Sequence, residues 1–281
     1  MDVVKAVVLG VVQGLTEFLP VSSSGHLVIA RELLNAQEAL LSFDVLVHLG
    51  TLIAVVLVFA RDVARLVTAA AGIVTDVARG TGLGKAVSRD GWRKTVFLIV
   101  VASLPTAAMG LALEPIVERL FASKLAVGIF LVATGLVLWL GDRWSAAGGR
   151  LPVERLGPAG ALCVGVAQGL AVVPGFSRSG ATISAGLLFG LRREDAARFS
   201  FLLSIPVILG ASALELPDLV KAGLAKGFAA PFLAGALASV VSGYVAIHLV
   251  FSALRRGRFM VFAVYTWLVG AAVIAWALLG A

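Results

Sequence analysis

Three stretches of this chain, residues 125–140, 229–254 and 259–279, contain no Asp, Glu, Lys or Arg. Each approaches or exceeds the ~20 apolar residues that cross the hydrocarbon layer of a bilayer, and a water-soluble core has no need of blocks that long. Composition agrees. Of 281 residues, 60% are hydrophobic and 14% charged, where a soluble domain carries about a quarter charged residues. The fold class expected is therefore an all-α polytopic membrane protein. The net charge of +7 fits the same reading, because basic residues gather on the cytoplasmic side of membrane proteins; nucleic acid is not expected as a partner. The single cysteine, Cys163, can form no internal disulfide and by itself makes no zinc site. The apolar stretch from Ala6 to Leu15 runs straight into Thr16 and Glu17 without a small-residue cleavage pattern, so no cleavable signal peptide is expected.

Six full-length spans are expected, at about 41–60, 95–113, 123–141, 198–215, 229–253 and 259–280. Two further apolar regions, about 6–34 and 160–190, are broken in the middle by turn residues. The first break runs from Leu19 and Pro20 to Gly25, the second from Val173 and Pro174 to Gly180. Each half is only about 10–15 residues, too short to cross. Broken backbone at membrane depth is tolerated where it is buried in protein or lines a wet cavity. Both regions are thus expected as re-entrant helix–turn–helix hairpins.

Charge gives an orientation. A polar loop holding Arg61, Arg65, Arg79, Lys85, Arg89, Arg93 and Lys94 follows the first span. Placing it in the cytoplasm also puts Arg143, Arg150, Arg155, Arg192, Arg193, Arg198, Arg255, Arg256 and Arg258 inside, as the positive-inside rule requires. The other face receives Lys5, Arg31, Arg119, Lys124, Lys221 and Lys226. Both termini then lie outside, the first hairpin enters from the outer face, and the second enters from the inner face.

The hairpins resemble each other. Shifted by about 155 positions, the run from Gly10 to Leu15 falls on the run from Gly165 to Leu170, with Gln13 on Gln168. Ser22, Ser24 and Gly25 then fall on Ser177, Ser179 and Gly180, while Pro20 and Pro174 miss by one place. Similar hairpins entering from opposite faces mark inverted repeats that meet near the midplane around a bound substrate. The chain is expected as a single membrane domain, with repeat 1 at about 1–115 and repeat 2 at about 158–254.

Each turn offers an anion site. New helices are expected to begin at about Gly25 and Gly180, and Ser and Gly at a helix start leave N–H groups pointing forward at the positive end of the dipole. Arg178 adds a full charge with a fork suited to phosphate. Glu17 and Gln13, four apart, share a helix face. A carboxylate near a helix C-terminus in lipid needs a partner: a divalent cation, Arg178, His26 or a shared proton. Oxygen ligands from Glu17 and Gln13 beside a phosphate suit Mg²⁺ or Ca²⁺. His26 has the chemistry of a base, an acid or a nucleophile. Asp44 and His48, also four apart, are expected in a supporting role, and Trp139, Trp144 and Trp267 as interface anchors. Gly235, Ala236, Ser239 and Gly243 permit close helix packing, within the chain or in a homodimer. No nucleotide-binding glycine pattern or zinc-protease signature is present.

The run Gln13-Gly14-Leu15-Thr16-Glu17-Phe18-Leu19-Pro20-Val21-Ser22-Ser23-Ser24-Gly25-His26, together with Pro174-Gly175-Phe176-Ser177-Arg178-Ser179-Gly180-Ala181-Thr182, resembles the two signature motifs of the undecaprenyl-diphosphate phosphatase family. The resemblance extends over the whole chain. It implies a bacterial inner-membrane hydrolase, open to the periplasmic face, that converts undecaprenyl diphosphate to the monophosphate and inorganic phosphate. That activity recycles the lipid carrier of cell-wall synthesis and confers bacitracin resistance; help from Mg²⁺ or Ca²⁺ is also implied. By the same resemblance, Ser23 matches the nucleophile, Glu17 an essential acid, His26 the motif histidine and Arg178 the phosphate-binding arginine. Ser177 and Thr182 match supporting contacts. Gln13 stands where the family's first acid commonly lies, which weakens any mechanism needing two carboxylates on the metal. Serine, histidine and water all stay open as nucleophile. A lipid-phosphate transporter is the rival reading, because inverted repeats with broken helices are typical of carriers.

Overall fold

The computed structural model describes residues 1–36, 41–145, 149–221 and 229–280. Among these the regular structure is helical, apart from one isolated parallel bridge between Leu151 and Leu191. The first hairpin is α1 (Val3–Phe18) and α2 (Ser23–Leu33). Asp2 caps α1 by accepting from the Lys5 N–H, and α1 stops before Pro20, which disfavours helical backbone in the residue preceding it. Next come α3 (Leu41–Val58), α4 (Ala60–Ala78), a short α5 (Leu83–Val87), α6 (Gly91–Phe121) and α7 (Lys124–Ser145). The second hairpin is α8 (Gly157–Leu170) and α9 (Arg178–Leu188), followed by α10 (Arg193–Lys221), α11 (Ala229–Arg255) and α12 (Met260–Leu279).

Among the described residues, five helices, α6, α7, α10, α11 and α12, are each long and apolar enough to cross a membrane, and α3 with α4 qualifies as a bent pair. This is an all-α multi-pass membrane protein. The polar loop expected after the first span is instead largely helical: α4 leaves α3 at 89°. Its acids turn toward the protein and find cations there. Asp62 lies 3.3 Å from Arg198, and Asp76 takes Arg89 at 2.7 Å and also Arg93. Those pairings make a helix of a segment too polar to be read as a span.

Each hairpin leans on a distant long helix. A Cβ on Gly10 would lie 2.1 Å from the Gly235 carbonyl oxygen of α11, and one on Gly165 would lie 2.1 Å from the Ala102 carbonyl oxygen of α6. In lipid, where helices gain little from the hydrophobic effect on meeting, such close approach and interhelical hydrogen bonds supply the attraction. Ser239 donates to the Val47 carbonyl at 2.6 Å, and Thr106 donates to the Gly165 carbonyl at 2.9 Å. The small residues of α11 are therefore used inside the chain, against α1 and α3. Trp267 ties two helices together: its indole N–H donates to the Val132 carbonyl at 3.2 Å, joining α12 to α7.

The hairpins open on opposite ends of the molecule. Lys5 and Asn35, at the mouth of the first, lie at the end where Glu32 meets Lys124 at 2.6 Å. The mouth of the second, at Leu151 and Leu191, lies at the end where Arg193 meets Asp142 at 2.8 Å. The two turns meet inside, where the Ser179 hydroxyl donates to the Leu19 carbonyl at 3.3 Å.

Candidate active site

The turn between α1 and α2 is set by Ser22, which caps α2. Its Oγ accepts from the Gly25 N–H at 3.3 Å, and its backbone takes φ 74° and ψ 99°. A non-glycine residue there costs about 1–3 kcal/mol and persists only when its surroundings over-determine it. The fixing contacts fall on the Ser22 carbonyl, which accepts from the His26 N–H at 3.2 Å and from His26 Nδ1 at 2.7 Å. The helices begin two residues before the expected glycines, so Ser23 and Arg178 are themselves the first residues of α2 and α9. Ser177 caps α9 as Ser22 caps α2, with its Oγ 3.1 Å from the Gly180 N–H.

Glu17, near the C-terminal end of α1, is the hub. Its side chain is 3% exposed. Oε2 accepts from Ser23 Oγ at 2.6 Å and from Gln13 Nε2 at 3.0 Å, while Oε1 is ion-paired with the Arg178 guanidinium. One carboxylate thus joins the two hairpins, and burial makes its pairing obligatory. His48 Nε2 stands 3.8 Å from Oε2, too far for a hydrogen bond, and its Nδ1 donates to the Asp44 carbonyl at 2.8 Å.

A cavity of about 420 Å³ opens beside these groups. Its polar wall includes Glu17, Ser22, Ser23, Ser24, Arg31, Asp44, His48, Arg178 and Glu215, and its apolar wall includes Leu27, Val28, Val117, Phe121 and Phe176. Other expected site residues stand elsewhere. Ser177, Ser179, Gly180 and Thr182 do not line it: the first three build the cap of α9, and the Thr182 hydroxyl lies 2.6 Å from that of Ser200, behind α9. His26 does not line it either, since Nδ1 is held by the Ser22 carbonyl and Nε2 lies 2.8 Å from the Tyr265 hydroxyl. The base nearest Ser23 is Glu17.

Arg31 is the cavity group that sequence reading leaves out, counting it only as an outer-face charge. It is ion-paired with Asp44, and its buried Nε has no partner among the described residues. The signal was spacing: Ser23, Leu27 and Arg31 repeat every four residues along α2, and all three line the cavity. Gln168 and Thr106 also reach it, joined at 3.1 Å.

The surroundings of Glu17 offer a hard cation one carboxylate and one neutral oxygen, although Gln13 turns its Nε2 to that carboxylate and does not line the cavity. Gln13 Oε1 is a buried carbonyl oxygen with no hydrogen-bond partner among the described residues, and one carboxylate plus a neutral oxygen, completed by phosphate and water, is a usual Mg²⁺ donor set. No group of three or more His, Cys, Asp or Glu is placed to hold a metal among the described residues. The arrangement sets a serine hydroxyl against a buried carboxylate, beside an arginine whose fork has the geometry for phosphate.

Comparison with known proteins gives the family. The sequence is 46% identical over 270 residues to an undecaprenyl-diphosphatase of Desulforapulum autotrophicum, covering 96% of each chain. It is 47% identical over 272 residues to one of Desulfosudis oleivorans, covering 96% of this chain and 97% of the relative. With one of Methanosphaera stadtmanae it shares 40% over 271 residues, 96% of each. A sequence model of the bacitracin resistance protein BacA matches residues 6–272, nearly the whole length, and the chain belongs to that family.

Proposed function

We propose that the chain hydrolyses undecaprenyl diphosphate to undecaprenyl phosphate and inorganic phosphate, sustaining the lipid carrier of cell-wall synthesis and conferring bacitracin resistance. The observation that carries this is the Ser23 hydroxyl 2.6 Å from Glu17, in a cavity that also holds Arg178. The relatives share the phosphatase name, and a carrier has no use for a hydroxyl aimed at a buried carboxylate.

The terminal phosphate exchanges Glu17 for itself on the Arg178 fork, aided by the N–H groups at the start of α2. Glu17 accepts the Ser23 proton as Oγ attacks the terminal phosphorus in line. The bond from that phosphorus to the bridging oxygen breaks, and undecaprenyl phosphate leaves. The Glu17 proton goes with the departing undecaprenyl phosphate, and the freed carboxylate takes a proton from water as it attacks the phosphoseryl phosphorus; the bond from that phosphorus to Oγ breaks, Glu17 returns the proton to Ser23 Oγ, and inorganic phosphate leaves. Direct attack by water, with Ser23 as a phosphate ligand, is the variant; a phosphoserine trapped on Ser23 decides between them. A divalent cation, Mg²⁺ or Ca²⁺, held by Glu17 and Gln13 would supply charge neutralisation of the diphosphate. The prenyl tail lies along the apolar wall. We place the protein in the bacterial inner membrane, with the mouth of the first hairpin outside and the two halves related as inverted repeats. The reciprocal packing of α1 on α11 and α8 on α6 supports that relation.

The test is phosphate release by the purified protein from a long-chain prenyl diphosphate, with and without Mg²⁺ or Ca²⁺. Turnover by the wild type and a loss of roughly 10²–10⁴-fold in Glu17→Gln, the usual range for a general base, are expected. Equal rates in the two proteins, or no release from folded wild type, would overturn the proposal.

A further inference from the structure

Tyr265 stands in the first half of α12, outside both turns. Its hydroxyl lies 2.8 Å from His26 Nε2, and the two rings stack with centroids 5.6 Å apart and planes 9° from parallel. On the other side of the imidazole, Nδ1 lies 2.7 Å from the Ser22 carbonyl oxygen. A carbonyl oxygen only accepts, so the ring proton sits on Nδ1. In the neutral ring Nε2 is then an acceptor, and the Tyr265 hydroxyl is its donor.

These contacts form a line from α12 to the reactive serine. Tyr265 donates to His26, His26 donates to the Ser22 carbonyl, and Ser22 immediately precedes Ser23, whose hydroxyl donates to Glu17. The Ser22 backbone is the strained link, and its shortest hydrogen bond is the one from His26 Nδ1. Rotation of the imidazole would release that bond, and Tyr265 opposes rotation by both stacking and hydrogen bonding.

We propose that Tyr265 is a positioning residue: by holding the His26 ring in its Nδ1-protonated form against the Ser22 carbonyl, it fixes the turn that aims Ser23 at Glu17. His26 then acts through the backbone and not as the acceptor of the Ser23 proton. The kinetic part of this inference rests on the phosphatase reading; the contact itself does not.

The test uses the full-length protein as wild type, Tyr265→Phe, His26→Gln and the double variant, all assayed for phosphate release. Phenylalanine keeps the stacking ring and removes only the hydroxyl. Tyr265→Phe is expected to lower kcat by about five- to tenfold, the loss of roughly one hydrogen bond, with KM unchanged. The double variant is expected to be no slower than His26→Gln, since the hydroxyl acts only through that ring. Nitrogen NMR of labelled histidine provides a readout without turnover. His26 Nε2 should carry the shift of a hydrogen-bonded acceptor, lose it in Tyr265→Phe, and leave the other two histidines unmoved. An unchanged kcat with an unmoved His26 signal would overturn the proposal, as would losses that multiply in the double variant. If His26→Gln shows no turnover, the single Tyr265 variant and the spectrum decide. If wild type releases no phosphate, the phosphatase reading fails while the spectrum still tests the contact.

Discussion

At the scale of single residues, the Glu17 carboxylate makes three contacts that constrain one another. Gln13 and Ser23 hold Oε2 while Arg178 holds Oε1. Removing Arg178 would leave a buried charge unpaired, at a cost of about 3–5 kcal/mol, so its loss confounds catalysis with folding. Arg31 is a cleaner probe. Its guanidinium faces the same cavity, is 19% exposed, and keeps a free Nε–H. If it grips the phosphate that is not transferred, Arg31→Gln should raise KM about tenfold, the loss of one charge-assisted hydrogen bond, and leave kcat nearly unchanged. Steady-state kinetics in detergent checks this; a fall in kcat at constant KM would place Arg31 elsewhere in the reaction. Glu17 and Arg178 stood out in the sequence because charge at membrane depth and a broken helix contrast with an apolar background, whereas Ser23 was singled out only by the resemblance of its motif. Tyr265 was not. An aromatic residue in a span is unremarkable until folding brings it to a histidine 239 positions away.

At the scale of helices, the spans could be read from length and hydropathy because a bilayer demands about 20 apolar residues in a row whatever the tertiary structure. The two hairpins were equally legible, since prolines and serines inside apolar runs leave few alternatives. The helix α4 escaped, because its basic and acidic residues mark a loop until Asp62 and Asp76 find arginines on other segments. Helix pairing lies between these cases: small residues announced a close contact on α11 without naming α1 as the partner. Gly10 tests that contact. With a Cβ 2.1 Å from the Gly235 oxygen, Gly10→Ala must push α1 off α11, at about 1–3 kcal/mol. The melting temperature in detergent should fall by several degrees. Gly110→Ala on α6, where nothing lies within 4 Å, should be neutral or stabilising by up to ~1 kcal/mol. Equal melting temperatures for the two variants would contradict the packing described.

For the whole molecule, the separation of charge between two ends predicts which end meets the cytoplasm. With Cys163 replaced by serine, Leu33→Cys at the end of α2 should react with a membrane-impermeant maleimide in intact cells, and Arg256→Cys beyond α11 only after permeabilisation. Reversed labelling would invert the orientation and move the cavity to the other side. The crossed packing has a further consequence, for biosynthesis. The surface that receives α1 includes Ser242, whose hydroxyl bonds the Gly10 carbonyl across 232 positions of chain. At synthesis rates of about 5–20 residues per second, the N-terminal hairpin leaves the ribosome roughly 10–50 s before its seat exists. Throughout that interval a short broken helix carrying Glu17 lacks α11, and for most of it Glu17 lacks Arg178 as well, so the nascent protein depends on the insertion machinery to shelter its first hairpin until α11 arrives.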